Sequence, residues 1–148
     1  MLCDKHVIKM ILETAQLLST AQHVIGYGQS VDPTKLYRKT HVNHPSAIWV
    51  RSSLGNYQWA FEHYKALMAE YSWRYGKVHA SQRLCDALGD IPATLAGDFT
   101  EPPKCMPDEY KKVLDTVEAY RLYYVKDKAR FCKWTNRQTP QWFVEAVK

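Results

Sequence analysis

Four side chains near the start of the chain, His6, Lys9, Glu13 and Gln16, follow one another at alternating spacings of three and four residues. On an α-helix that spacing lays them along one face as a continuous polar stripe. A carboxylate beside an imidazole and an ammonium supplies the parts for general acid–base chemistry, or for stabilising a developing positive charge, where water is partly excluded. The plainer reading of the same residues is a solvated face with a Lys9–Glu13 helical pair worth about 0.3 kcal/mol.

The stripe requires a helix under it. Val7, Ile8, Ile11, Leu12, Ala15 and Leu18 recur at helical spacing, which predicts a helix from residue 3 to about residue 25. Asp4 suits the first turn, and Gly26 and Gly28 suit the end. With apolar residues on nearly every other side, this helix is expected to be buried almost all round, leaving the stripe to face a cleft or a partner.

A second set of residues is basic with aromatics between. Lys5 lies on the first helix, and Arg38, Lys39, His41 and His44 fall in a long connection over 26–44. Arg51, Arg74 and Lys77 follow, then Lys128, Arg130, Lys133, Trp134 and Arg137 near the end. Lysine and arginine position phosphates and aromatic faces stack on bases, so the set suits nucleic acid; the alternative is a solvated basic surface over a Trp- and Tyr-rich core. The balance of 20 Lys and Arg against 15 Asp and Glu, net +5, also favours an acidic partner.

Metal chemistry has less to stand on. Cys3-x-x-His6 and His41-x-x-His44 hold ligand types that suit zinc, but neither has a recognised finger spacing, and we assign no metal and no cofactor. Cys3, Cys85, Cys105 and Cys132 form no Cys-x-x-Cys pair and are expected to be free thiols in a reduced, cytoplasmic setting. No run approaches the roughly 18 apolar residues of a membrane span.

The rest of the chain also reads as helix. Pro45 opens a second helix that is interrupted near Gly55-Asn56 and runs to about Tyr75, with Gly76 as its stop. Trp59, Tyr64, Leu67, Met68 and Tyr71 are its expected buried side. A short helix over about 80–88 precedes a loop from Gly89 to Pro107. Tyr110, Val113, Leu114, Val117, Tyr120, Leu122 and Tyr124 predict a helix over 108–132, and Trp134, Trp142 and Phe143 dock a short terminal one. No alternating strand pattern appears. The expectation is all-α: one domain over 1–148, a compact helical bundle with long connecting loops.

The segment Leu2-Cys3-Asp4-Lys5-His6-Val7, with Glu13 seven residues after His6, resembles the first helix of the phage-type pyrimidine-dimer DNA glycosylases. That helix carries a histidine and, seven positions on, the catalytic glutamate. His44-Pro45 to Gly76 is similar to the family's loop and long helix. Asp90-Ile91-Pro92, Gly97-Asp98-Phe99 and Pro102 resemble its central loop, and Tyr123-Tyr124 with Lys126 and Lys128 resemble its C-terminal segment. The likeness covers most of the chain in order, through short motifs.

The resemblance implies an all-helical enzyme that binds duplex DNA and excises damaged pyrimidines without a metal. In the family a free N-terminal amine attacks the sugar C1′ to form an imine, and β-elimination then cuts the strand. Glu13 takes the catalytic position, with His6 beside it. Lys5, Lys9, Gln16, Arg38, Lys39, His41, His44, Arg51, Arg74, Lys77, Lys128, Arg130, Lys133 and Trp134 become the DNA-binding set. Two departures stand out. Met1 lies only five residues before His6, so the chain reads as shortened relative to the family, and Leu12 and Gln16 stand where the family has arginines. The sequence therefore leaves open a non-catalytic nucleic-acid-binding module, and an enzyme acting on a nucleotide or another phosphorylated small molecule.

Overall fold

The computed structural model of the chain describes residues 2–103 and 116–147. Two helices of 22 residues, α1 (Asp4–Ile25) and α3 (Leu54–Tyr75), form the frame. They run antiparallel, since Gln22 at the end of α1 meets Tyr57 at the start of α3, while Arg74 at the end of α3 meets Asp4. The short α2 (Pro45–Ser52) packs on both. Val7, Ile11, Ala15 and Leu18 of α1 close the core with Val50 of α2, with Tyr57, Tyr64, Leu67 and Met68 of α3, and with Leu84 and Leu88. These last come from a 3-10 turn (Ala80–Leu84) and the helix α4 (Cys85–Gly89). Beyond the loop lie α5 (Thr116–Tyr123), a wide π turn (Tyr124–Lys128), a 3-10 turn (Ala129–Phe131) and α6 (Gln141–Val147). Among the described residues there is no strand, and no helix is long and apolar enough to cross a membrane. The fold is all-α, as the periodicity predicts.

Local chemistry explains the boundaries. Gly26 ends α1 at φ 119°, and Gly76 ends α3 in the left-handed region at φ 63°. Pro45 occupies the first turn of α2, and His44 caps it by accepting the Ser46 N–H. The break between α2 and α3 comes at Ser53, earlier than Gly55-Asn56. Ser53 is extended, and its Oγ accepts the Asn56 N–H at 3.1 Å. Gly55 serves another purpose: a Cβ there would stand 2.3 Å from the Phe99 nitrogen, so only glycine lets this loop cross.

Three burial expectations need correction. α1 is not buried all round, because its partners pack on one broad side; Ile8 and Leu12 stay 41% and 39% exposed. Trp59 is 45% exposed on the outer side of α3, and Tyr57 takes its place in the core. Tyr71 is half-buried rather than buried. Residues 108–115, with Tyr110, Val113 and Leu114, and Cys105 lie outside the described residues, as do the side chains of Leu122, Tyr123, Tyr124 and Arg130.

The polar centre of the bundle is Gln22. The two hydrogens of its Nε2 are shared among the Tyr57 hydroxyl at 2.9 Å and the carbonyls of Ala87 and Asp90 at 3.1 and 3.2 Å, while Oε1 accepts the Gly28 N–H at 3.3 Å. One amide thus ties α1 to α3, to α4 and to the connection that follows α1. Gln22→Leu removes every one of these bonds and leaves buried partners unsatisfied. We expect it to cost about 3 kcal/mol in urea unfolding; a loss below about 0.5 kcal/mol would contradict this role.

Candidate nucleic-acid interface

The sequence-predicted stripe lies along α1 and meets two other parts of the chain. At the N-terminal end, the turn after α5 places Phe131 against it. The His6 ring stands edge-on to Phe131 with centroids 5.6 Å apart. The ammonium groups of Lys5 and Lys128 lie 5.1 and 5.8 Å from the centre of the same ring. A lysine ammonium is drawn to an aromatic face by the ring quadrupole, so Phe131 gathers cations from two separate elements. Burial, and then the charges of Lys128 and Lys9, hold the His6 imidazole below its ordinary value. The two lysine charges thus add a smaller push in the same direction as burial.

One turn along, Lys9 Nζ lies 3.5 Å from Glu13 Oε1, with 67% and 42% of these side chains exposed. Glu13 therefore has both a cationic neighbour and access from solvent. Gln16 is half-buried. The stripe ends at Thr20, whose hydroxyl donates to the Thr40 carbonyl at 3.3 Å and accepts the Thr40 N–H at 3.2 Å. That docks the basic connection on α1. Arg51 fixes its other side through a 2.7 Å bond from Nη1 to the Val42 carbonyl. Between these anchors Arg38, Lys39, His41 and His44 are exposed. His41 holds a left-handed φ of 46°, uncommon for a side-chain-bearing residue, and its carbonyl accepts the His44 N–H at 3.0 Å. The stripe thus runs between two basic regions.

Two members of the predicted set do not belong to this surface. The Arg74 side chain is fully buried at the end of α3, where it is needed for structure. Its Nη1 pairs with Asp4 at 3.0 Å, its Nε with Glu70 at 2.9 Å, and its Nη2 donates to the Leu2 carbonyl at 2.9 Å. Trp134 is 7% exposed and packs with Cys3 and Phe143 in a second apolar cluster. It joins the C-terminal segment to α1 and offers no face to a base. Lys77 and Lys133 are exposed at this end of the bundle, and the Lys133 carbonyl accepts the Asp4 N–H at 2.6 Å. The side chain of Arg130 lies outside the described residues.

Sequence reasoning missed how the C-terminal segment is held in place: it named Arg137 only among the basic residues and did not single out Thr135 or Asn136. Arg137 pairs with both Glu70 oxygens at 2.9 and 3.0 Å and lies over Trp73. The Thr135 N–H donates to Asp4 at 2.9 Å, and its hydroxyl bonds the same carboxylate. Asn136, with a left-handed φ of 55°, donates to the Arg74 carbonyl at 2.8 Å. Phe131 was legible only as part of the basic–aromatic stretch around it. The possible metal motifs do not combine: no group of three or more His, Cys, Asp or Glu that could hold an ion occurs among the described residues. A shallow apolar hollow of about 430 Å³ sits elsewhere, lined by Pro45, Ile48, Trp49, Ser52, Glu101 and Pro103.

No protein-family model, curated protein or solved structure matches this chain.

The network around Arg74 should be acid-sensitive. Burial raises the Asp4 carboxyl, but the Thr135 bonds and the Arg74 guanidinium outweigh it and hold the group below its ordinary 3.8. The Arg137 bond, against some burial and with help from Arg74, holds Glu70 below its ordinary 4.5. Carboxyls lowered by folding add stability that is complete above those ordinary values and is lost as pH falls through the folded-state ones. Tryptophan fluorescence should therefore show the C-terminal segment loosening below about pH 4, and Asp4→Asn should shrink the acid-dependent part. Stability unchanged from about pH 6 to about pH 3 would count against the network.

Proposed function

We propose that this chain binds nucleic acid, duplex DNA foremost, by laying α1 and the turn around Phe131 along the phosphate backbone. The observation that carries the reading is the convergence of Lys5, His6 and Lys128 on one phenylalanine, with Lys9 one turn away. Like charges gathered on one surface repel each other, and a bound polyanion relieves that repulsion while releasing its counterions. From His6 to Gln16 the open part of the stripe is about 15 Å long, about four phosphate steps on one strand of B-DNA. The basic connection over 38–44 continues the positive track at the far end. Lysine contacts to phosphate position a duplex without reading its sequence, so affinity should depend on salt more than on sequence.

Fluorescence anisotropy with a labelled duplex tests this directly. Replacing both lysines, Lys5→Ala with Lys128→Ala, should weaken binding at least tenfold and reduce the salt slope by about two. Lys65→Ala, at a lysine paired with Glu62, should change little. Binding should also tighten as pH falls from about 7.5 to about 6, because a phosphate favours the protonated form of His6, and His6→Gln should flatten that trend. Equal affinity for the double variant at every salt concentration would remove the proposal.

A second reading, the pyrimidine-dimer glycosylase with its lyase step, is favoured by Glu13. Its carboxylate is reachable from solvent and lies two turns from His6 beside the Lys9 ammonium. In such a reaction an amine displaces the base at the sugar C1′, and the C1′–O4′ bond then opens to leave an imine and a ring hydroxyl, while the carboxylate stabilises the positive charge that develops. Borohydride should then trap the chain on an ultraviolet-damaged duplex, and Glu13→Gln should abolish trapping while leaving affinity within about twofold. Salt-sensitive binding with no trapped adduct would identify a non-catalytic module instead.

A further inference from the structure

We propose that Cys3 and Cys132 are a reversible dithiol–disulfide pair whose closure locks the C-terminal segment onto the start of α1. The two residues come from opposite ends of the chain, yet Cys132 packs against the apolar cluster that Cys3 forms with Trp134 and Phe143. Both sit in extended backbone at the edge of a helical turn: Cys3 precedes α1 at φ −72°, ψ 166°, and Cys132 follows the 3-10 turn at φ −75°, ψ 127°. The strands of chain that carry them are joined by the Asp4 N–H to Lys133 carbonyl bond of 2.6 Å. Trp134 and Phe143 close over the pair, and the Thr135 and Asn136 contacts fix the chain just beyond it. A disulfide needs this kind of prior backbone approach, and here other bonds already supply it. The proposal does not depend on what the basic surface binds.

The chemistry needs an external oxidant, and a low-molecular-weight disulfide is the natural class. Cys132 is only part-buried and Cys3 is fully buried, so Cys132 meets the reagent first. Its thiolate attacks one sulfur of the reagent, which forms a mixed disulfide and expels the first small thiolate. The Cys3 thiolate then attacks the Cys132 sulfur, forms the internal bond and expels the second. Two electrons pass to the reagent, and the two thiol protons end on the two small thiols. Burial and the neighbouring Cys3 thiol push Cys132 up to about 12, against a smaller opposing pull from Lys128, so the open pair is slow to react at neutral pH. Cys85 lies part-buried on α4, outside this cluster.

The test uses the whole folded chain and glutathione disulfide at mildly alkaline pH, followed by unreduced peptide mapping. The peptides holding Cys3 and Cys132 should appear linked, with the loss of two hydrogens in mass, and dithiothreitol should restore the open form. The same link should form in a variant carrying Cys85→Ser and Cys105→Ser. Release of the C-terminal segment by limited proteolysis should slow about tenfold on closure. The inference is overturned by glutathione adducts on both cysteines without a link, by a link to Cys85 or Cys105, or by no reaction at either thiol. A Cys3–Cys132 link that leaves proteolysis unchanged overturns the locking role. Cys132→Ser keeps the approach of the two segments and should yield no internal link.

Discussion

Arg74 places a permanent positive charge at the end of α3 with none of its side chain exposed, and such a charge costs several kcal/mol unless it is paired and hydrogen-bonded. The chain answers with two carboxylates and a carbonyl drawn from three places: Asp4 opening α1, Glu70 one turn back on α3, and the Leu2 carbonyl. Each carboxylate then serves a second partner, Thr135 or Arg137. The guanidinium is therefore the point on which both ends of the chain and the last turn of α3 are registered. Remove it and Asp4 and Glu70 keep their charges without their common counterion. The docking of Phe131 beside His6 and Lys5 depends on that registration.

α1 serves two different tasks along its length. Its first half presents Lys9 and Glu13 to water, where the ion pair is worth little. Its second half buries Thr20 and Gln22, whose polar atoms are met by the Thr40 backbone and by Tyr57, Ala87 and Asp90. The change comes where the helix passes from the open end of the bundle to the part enclosed by α2, α4 and the basic connection. A polar residue is costly in the interior only when unpartnered, so one stripe can begin as a surface and end as a buried joint.

Much of the architecture was written locally. Apolar spacing marks α1 and α3, and Gly26, Gly76 and Pro45 mark ends that they occupy in the fold. The basic stretch around 126–137 was legible as a surface, and Lys128 does meet Lys5 and His6 there around Phe131. What the sequence could not convey was set by distant partners. An arginine in the last turn of a helix looks like a solvent-facing partner for the helix dipole; nothing near Arg74 announces that Asp4 will reach it. Trp59 and Trp134 exchange the expected places, one outside and one inside, because burial of an aromatic depends on which element arrives to cover it. Ser53 rather than Gly55 breaks the helix, since the loop at Gly97 and Phe99 needs the glycine.

The π turn over Tyr124–Lys128 gives the contact of Phe131 with α1 an unusual dependence on length. A turn of this kind holds one residue more than a regular helical turn, so all that follows it is rotated by about 100° relative to an uninterrupted helix. Lys128 and Phe131 face α1 with that phase already included. In genetic terms, loss of a single codon within the turn would regularise the helix and swing both side chains off the stripe, although every residue of the contact would still be encoded. The cationic surface is thus conditioned by spacing as well as by residue identity, and a count of lysines would miss its loss.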